Sequence, residues 1–256
     1  MDAGSPRNEY VQAFERGLAV ISGFDGSPLT LSEVAERVGM PPAAARRYLG
    51  TLTELGYFTH RDGRFSAQAK LLELSDPYLA ANDPTLRAQS VLEELTGRIN
   101  ETTTLTLLQG DEVLNVLDVQ ATHELAIRVE RGRLLPAYCT AMGRAMLSLM
   151  PGDGATRLLG ETQREPHTKH TLTEPEQILK QIELARTRGY AFVEEEHTAG
   201  IRTMSMAFQF PRGQLAAFSA PTPTAREPRK EYLARVEGPL REAVRSMSGS
   251  IEVSRR

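Results

Sequence analysis

The sequence predicts an α+β protein, in which an N-terminal winged helix-turn-helix precedes a domain made of an antiparallel sheet that carries helices. Three observations lead there. Between Leu29 and Phe65, two short helical patterns joined by a Gly-Met-Pro-Pro turn run into a small hairpin. From Thr102 the periodicity changes to two-residue alternation, as in TTTLTLLQGDEVLNVLDVQ. Capped helical stretches lie among these strands, and the chain of 256 residues is long enough for two domains.

Residues up to Asn8 read as a disordered lead. Val11, Phe14, Leu18 and Ile21 then form a helical stripe that ends near Gly23 and is expected to pack under the next two helices. Thr30 with Glu33 three residues on is a capping-box pattern, each side chain satisfying an orphaned first-turn N–H. Leu31, Val34, Ala35 and Val38 continue that helix as one apolar stripe, and Gly39 ends it. Pro41 and Pro42 can open the third helix because its first turn does not need their missing N–H groups. Ala45, Tyr48, Leu49, Leu52 and Leu55 supply its buried stripe, and Gly56 suits the residue after its cap.

The outward side of this third helix holds Pro42, Ala43, Arg46, Arg47 and Gly50, a small cationic surface able to enter a DNA major groove. Tyr57-Phe58-Thr59 and Arg64-Phe65-Ser66 form a hairpin around His60, Arg61, Asp62 and Gly63, with Arg61 and Arg64 facing outward. Such a wing contacts phosphates or the minor groove and fixes register. Pro42, Ala43, Arg46, Arg47, Arg61 and Arg64 are the candidate DNA-binding set, within a domain of residues 1–67.

A linker follows over 68–84, where Leu71, Leu74 and Tyr78 suggest a helix that Pro77 either bends at Asp76 or restarts. Asp83 is the expected N-cap of a helix carrying Leu86, Val91, Leu92, Leu95 and Ile99. A hairpin turns at Gly110-Asp111, a third strand is expected over Glu124–Gly132, and a helix runs from about Thr140 to Met150 before Pro151-Gly152. Thr173 with Glu176 reads as a second capping box, opening a helix through Ile178, Ile182 and Ala185 to Gly189; a strand follows at Tyr190–Val193.

Ile201–Phe210 is the most informative strand. Met204, Met206, Phe208 and Phe210 alternate with Thr203, Ser205, Ala207 and Gln209. The greasy face is expected to pack on helices, leaving the other to line a pocket or meet solvent. A Pro211-Arg212-Gly213 turn returns the chain, and a long helix from about Arg226 is expected to break at Gly238-Pro239.

Net charge is −3, so charge overall favours no class of partner. No apolar run approaches a bilayer span, the N-terminus lacks a signal-peptide core, and the single cysteine, Cys139, excludes an internal disulfide framework. The expectation is a cytoplasmic protein. Cys139 is a redox sensor, an effector contact or a small buried residue. His167 and His170 have a metal-compatible spacing without a nearby third ligand, so no metal is expected. Glu194 to Glu196 with His197 is either a general-base cluster or a solvated loop in which one carboxylate holds the backbone. No serine sits in a G-x-S-x-G elbow and no glycine-rich phosphate loop occurs, so no enzyme activity and no cofactor are expected. The alternative is a hydrolase of an aromatic amide or ester, its DNA-like domain reused for assembly.

Four stretches bear a likeness to known regulators: YVQAFERGLAVISGF, LTLSEVAERVGM with RRYLGTLTELGY, LPAYCTAMGRAML, and RGYAFVEEEHTAGIR. Through them nearly the whole chain resembles the IclR-type transcriptional regulators, and LPAYCT resembles their branch controlling aromatic-acid catabolism through the β-ketoadipate pathway. The resemblance implies a winged-helix DNA-binding domain, a dimerising linker helix, and a GAF-like effector-binding and oligomerisation domain over 85–256. It implies homodimers that pair into homotetramers, hence a near-palindromic double-stranded operator. It also implies a small aromatic carboxylate as effector, held by the N–H groups of Ala141 and Met142 and by Thr203 and Ser219, its ring against Met142 or Met204. Ser205 joins Thr203 on the non-greasy face, and Arg128, on a strand near the pocket by the same analogy, is either a partner for an acidic ligand or a surface residue. Pro41 and Ala44 depart from the hydroxyl residues usual at the start of the reading helix, and Pro77 from the small residue usual in the linker.

Overall fold

A computed structural model of the protein describes residues 10–74, 83–210 and 213–248. The expected lead to Asn8, the linker around Asp76, Pro77 and Tyr78, and Pro211-Arg212 lie outside the described residues. The chain divides into two compact units, Met1–Ala81 and Asn82–Arg256.

The first unit contains helices α1 (Gln12–Ser22), α2 (Leu31–Arg37) and α3 (Pro42–Glu54), and strands β1 (Leu29–Thr30), β2 (Phe58–Arg61) and β3 (Arg64–Ala67). The strands form an antiparallel sheet in the order β1-β3-β2. The Thr30 capping box forms as read: Thr30 N donates to Glu33 Oε2 at 2.7 Å and Glu33 N donates to Thr30 Oγ1 at 3.3 Å. Gly39, at φ +61°, closes α2 with paired bonds from Met40 N to Ala35 O and from Gly39 N to Glu36 O. Gly56 closes α3 the same way, through Tyr57 N to Leu52 O and Gly56 N to Thr53 O. Val20, Leu29, Val34, Leu49, Leu52, Phe58 and Phe65 make the core.

Three expectations fail here. Most of the α1 stripe is not buried under its neighbours: Val11, Phe14 and Leu18 are 63%, 68% and 45% exposed, while Ile21 alone of the stripe packs on the core beside Val20, one position off it. Leu55 is exposed, since the chain turns away at Gly56 before its side chain reaches the core. Past β3, residues Ala69–Leu74 form a short 3₁₀ helix, with Leu71 packed on the core while Leu72 and Leu74 are exposed.

The second unit is a six-stranded antiparallel sheet between two layers of helices. Its strands are β4 (Thr103–Gln109), β5 (Glu112–Val119), β6 (Leu134–Pro136), β7 (Ala191–Glu194), β8 (Ile201–Gln209) and β9 (Leu215–Pro223), ordered β6-β5-β4-β9-β8-β7. Helices α4 (Asp83–Ile99) and α8 (Arg229–Ser248) cover one face, where Met204, Met206, Phe208 and Phe210 meet Leu92, Leu95, Tyr232, Val236 and Leu240. Tyr232 ties this layer to the strands: its hydroxyl donates to Ala220 O at 2.5 Å and accepts from Met204 N at 2.8 Å.

The opposite face is covered too, which the reading of β8 left open. Helices α5 (Ala141–Leu147), α6 (Gly154–Glu161) and α7 (Pro175–Arg188) pack there, and every residue of α5 is buried. Small side chains on both sides, Ala207 and Ala217 from the sheet with Ala145 from the helix, allow that approach.

Three further readings are corrected. Glu124–Gly132 is not a strand; the third strand is β6, because Asn115 N donates to Arg133 O and Gly132 N to Asn115 O, folding the segment over β5 as a loop. The second capping box does not form. Pro175, with its fixed φ, opens α7 one residue late, so Glu174 is the cap and makes no side-chain bond. Gly238-Pro239 does not break α8, where burial of Tyr232, Val236, Leu240, Ala243 and Met247 outweighs a proline cost of about 3 kcal/mol.

Candidate functional site

In the first unit, Pro42, Ala43, Arg46, Arg47 and Gly50 are all exposed on one side of α3. The Arg46 and Arg47 guanidinium groups make no hydrogen bond or ion pair among the described residues. Pro41 caps α3 without a side-chain bond, Pro42 has no N–H, and Ala44 N donates to Pro41 O at 2.9 Å, so the Ala43 amide is the first-turn donor left for an anion. The wing turns at Asp62 and Gly63, both at positive φ (52° and 75°), as a two-residue hairpin loop requires. Arg61 is exposed at its tip. Arg64 remains half exposed but is tethered: its Nη1 donates to Pro28 O at 3.1 Å and lies 3.4 Å from Glu33 Oε2, clamping the wing to α2.

In the second unit, a cavity of about 260 Å³ opens between the sheet and the 127–135 loop. Ala141 and Met142 from the start of α5, Thr203 from β8, and Arg128 from the loop all line it. The structure thus brings four of the six expected effector residues together. Ser205 and Ser219 lie outside the cavity wall, wholly buried and hydrogen-bonded to each other at 2.7 Å. Met204 faces away from the cavity, in the core under α4 and α8. Arg128 sits on a loop, not a strand.

Thr140 caps α5, its Oγ1 accepting from Gly143 N at 3.3 Å and donating to Pro136 O at 2.8 Å. The Ala141 and Met142 N–H groups, one and two residues on, have no carbonyl partner within the helix. Arg133 joins Arg128 in the lining, and Ile127, Val129, Leu135 and Val193 supply apolar wall. Asn115 holds the loop in place, its Nδ2 donating to Glu130 O at 3.0 Å. Cys139 is a cavity residue as well. Burial pushes its thiol up to about 11, so it is protonated at neutral pH and lacks the thiolate a redox sensor uses.

The acidic run is not a general-base cluster: Glu194 and Glu195 are part-exposed and one carboxylate does hold the backbone, but Glu196 is buried rather than solvated. Glu196 makes a buried two-pronged ion pair with Arg144, at 2.5 and 2.6 Å, while Arg144 Nε donates to Tyr138 O at 2.7 Å. Arg144 is 1% exposed. Glu194 pairs with Arg202 at 3.1 Å, and Glu195 Oε1 accepts from Gly200 N at 2.8 Å. The 165–172 loop clasps this run: Thr168 Oγ1 donates to Glu195 O and Thr171 Oγ1 to Glu196 O, both at 2.5 Å, and Leu172 N donates to Glu196 Oε2 at 3.1 Å. His167 lies between Tyr138, on which it stacks, and His197, to which its ring is tilted by 41°, and His170 lies 3.8 Å from Glu195. The sequence reading missed the Arg144–Glu196 pair, although an arginine inside AMGRAML was a visible signal for a buried partner.

His197 also lines the cavity. Burial first, then the nearby charges of His167 and Arg133, hold its pKa below the ordinary 6.5. The unfolded chain therefore takes up a proton near pH 6.5 that the folded chain resists, so stability is complete above that pH and falls as the pH drops through it. Melting curves between pH 7.5 and 5.5 should show this loss in the wild type and a shallower one in His197→Asn. Equal slopes would show that His197 does not contribute.

The sequence matches the family described as "Bacterial transcriptional regulator IclR C-terminal" over residues 78–249, and the "IclR helix-turn-helix domain" over 13–62. The chain is 33% identical over 228 residues to the Pca regulon regulatory protein of Pseudomonas putida, covering 87% of this chain and 78% of that protein. A crystal structure from Rhodococcus sp. RHA1, described as a transcriptional regulator, superposes with a TM-score of 0.81 at 31% identity, covering 96% of this chain and all of that one. An IclR homolog from Microbacterium hydrocarbonoxydans, complexed with 4-hydroxybenzoate, shares the fold with a TM-score of 0.77 at 22% identity, over 94% of this chain and 100% of the other. No described helix is long and apolar enough to cross a membrane. The hydrolase alternative falls with these matches, because the chain belongs to the IclR family of bacterial transcriptional regulators.

Proposed function

We propose that this regulator controls genes of aromatic-acid breakdown, reading an operator with α3 and the wing and responding to a small aromatic carboxylate in the second-unit cavity. The cavity carries the reading. It combines two arginines and two first-turn amides with apolar walls, against the carboxylates of Glu130 and of Glu196, which Arg144 neutralises, at a volume below the ~300–1,000 Å³ of drug-sized sites and suited to a single ring. The carboxylate would sit on the Ala141 and Met142 amides, with Thr203 and Arg128 beside it and the ring against Met142, Ile127 and Val129. The Pca regulon relative and the 4-hydroxybenzoate complex support that ligand class. Such a ligand shifts DNA binding only through its differential affinity for the competent and incompetent arrangements.

On the DNA side, Pro42, Ala43, Arg46 and Arg47 would enter the major groove while Arg61, and Arg64 beyond its tether, meet phosphates. The exposed apolar side of α1, with Val11, Phe14 and Leu18, fits a homodimer, and two reading heads call for a near-palindromic site. Tetramers, a GAF-like reading of the second unit, and the division at 1–67, 68–84 and 85–256 belong to the same proposal. A cytoplasmic location follows from a DNA partner.

Arg46→Ala and Arg47→Ala should each weaken operator binding about tenfold, and a variant that removes a phosphate contact should lower the salt slope by about one. Gel-shift titration at several salt concentrations reads both. Wild-type affinity in both variants would overturn the assignment of α3. A thermal-shift screen with 4-hydroxybenzoate and benzoate tests the cavity, since a ligand of the folded state raises the melting temperature by mass action.

A further inference from the structure

The sheet face under the cavity carries a ladder of buried hydroxyls. Across β4, β9 and β8, Thr104 stands opposite Ser219, and Ser219 opposite Ser205. All three are 0% exposed. Ser205 and Ser219 satisfy each other, whereas Thr104 Oγ1 has no hydrogen-bond partner, although Thr104 lines the cavity.

Its neighbours show how a buried threonine here finds a partner. Thr102 Oγ1 accepts from Ala121 N at 3.2 Å, Thr103 Oγ1 meets Thr96 Oγ1 at 2.7 Å, and Thr106 Oγ1 contacts Ala217 O at 3.4 Å. A buried hydroxyl without a partner is destabilising, and valine fills almost the same volume without one. Thr222 Oγ1 on β9 is also buried without a partner, but of the two only Thr104 lines the cavity.

We propose that Thr104 Oγ1 hydrogen-bonds an oxygen of the bound effector and sets affinity in this cavity, an inference that rests on the reading of the cavity as the effector site. As a hydroxyl it can donate to a carboxylate or exchange a bond with a ring hydroxyl.

The test is calorimetric titration of the full chain with 4-hydroxybenzoate and with benzoate, alongside melting of the ligand-free protein. Thr104→Val should raise the dissociation constant about five- to tenfold, the effect of one lost hydrogen bond, and leave the ligand-free melting temperature equal or higher. Thr104→Ser should retain wild-type affinity. Weakening toward both acids assigns the contact to the carboxylate; weakening toward 4-hydroxybenzoate alone assigns it to the ring hydroxyl. Unchanged affinity in Thr104→Val overturns the proposal while the cavity reading stands. If the wild type binds neither acid, the aromatic-carboxylate reading fails on its own, and the melting comparison decides: a lower melting temperature for Thr104→Val means that the hydroxyl has a structural partner and overturns the proposal, a higher one supports it.

Discussion

Glu196→Ala is expected to destabilise the second unit by about 3–5 kcal/mol, because it leaves a fully buried guanidinium without its counter-charge. Arg144 is 1% exposed and lies on a helix with no exposed residue, so its side chain cannot swing to water without unpacking α5. At roughly 2–4 °C per kcal/mol for a unit of this size, the melting temperature should fall by about 10 °C. The damage would not stop at the pair. Leu172 N loses its acceptor on Glu196, loosening the 165–172 loop from the acidic run.

Removing both partners separates charge from shape. Arg144→Met combined with Glu196→Leu should recover at least half of the loss, since an apolar pair avoids the desolvation that an unpaired charge suffers. Full recovery is not expected, because Tyr138 O and Leu172 N would both lose side-chain partners. Urea unfolding of Arg144→Met, Glu196→Leu and the double variant closes the cycle. If Glu196→Ala melts with the wild type, the pair holds nothing and α5 is anchored by its apolar contacts alone.

Much of the reading head was legible because its signals are local. The Thr30–Glu33 box and the glycines at 39 and 56 depend on residues within a few positions and form as read, whereas the wing's turn, read over His60–Gly63, narrows to Asp62-Gly63 because His60 and Arg61 pair with Phe65 and Arg64 in the hairpin. The α1 stripe misled because amphipathic spacing identifies an apolar face without naming what covers it; Val11, Phe14 and Leu18 are exposed in the single chain. The same ambiguity hid the Arg144–Glu196 pair, whose members stand 52 positions apart, and turned a buried salt bridge into an apparent surface run. In the cavity, the helix start and Thr203 could be placed through likeness to the family. Ser205 and Ser219 could not be sorted from Thr104, since which hydroxyls on one sheet face pair with each other is decided by strand register across β4, β9 and β8.

Among the described glycines, Gly143 should tolerate an added methyl group least. Gly143 does not have positive φ, so the requirement is space: an added Cβ would lie 2.2 Å from Ala137 O and 2.3 Å from Ala137 Cα. Both are backbone atoms, and neither can rotate aside. Either α5 shifts off the sheet or the Pro136–Thr140 segment is pushed away, and each movement opens the Thr140 cap that bonds Gly143 N and Pro136 O. The expected cost is about 3 kcal/mol, the upper part of the range for overpacked cores. Because Ala141 and Met142 are carried on the same turn, any aromatic acid that the wild type binds should bind the variant at least tenfold more weakly, a lost contact to a charged group being worth about 1.5–3 kcal/mol. Gly160→Ala is the matched control: it lies in α6, exposed, with no heavy atom within 4 Å of the added Cβ. It should stabilise by about 0.5–1 kcal/mol through helix propensity. If Gly143→Ala behaves like Gly160→Ala in urea unfolding, α5 does not rest against Ala137 in solution, and the cavity built on that contact has a different shape.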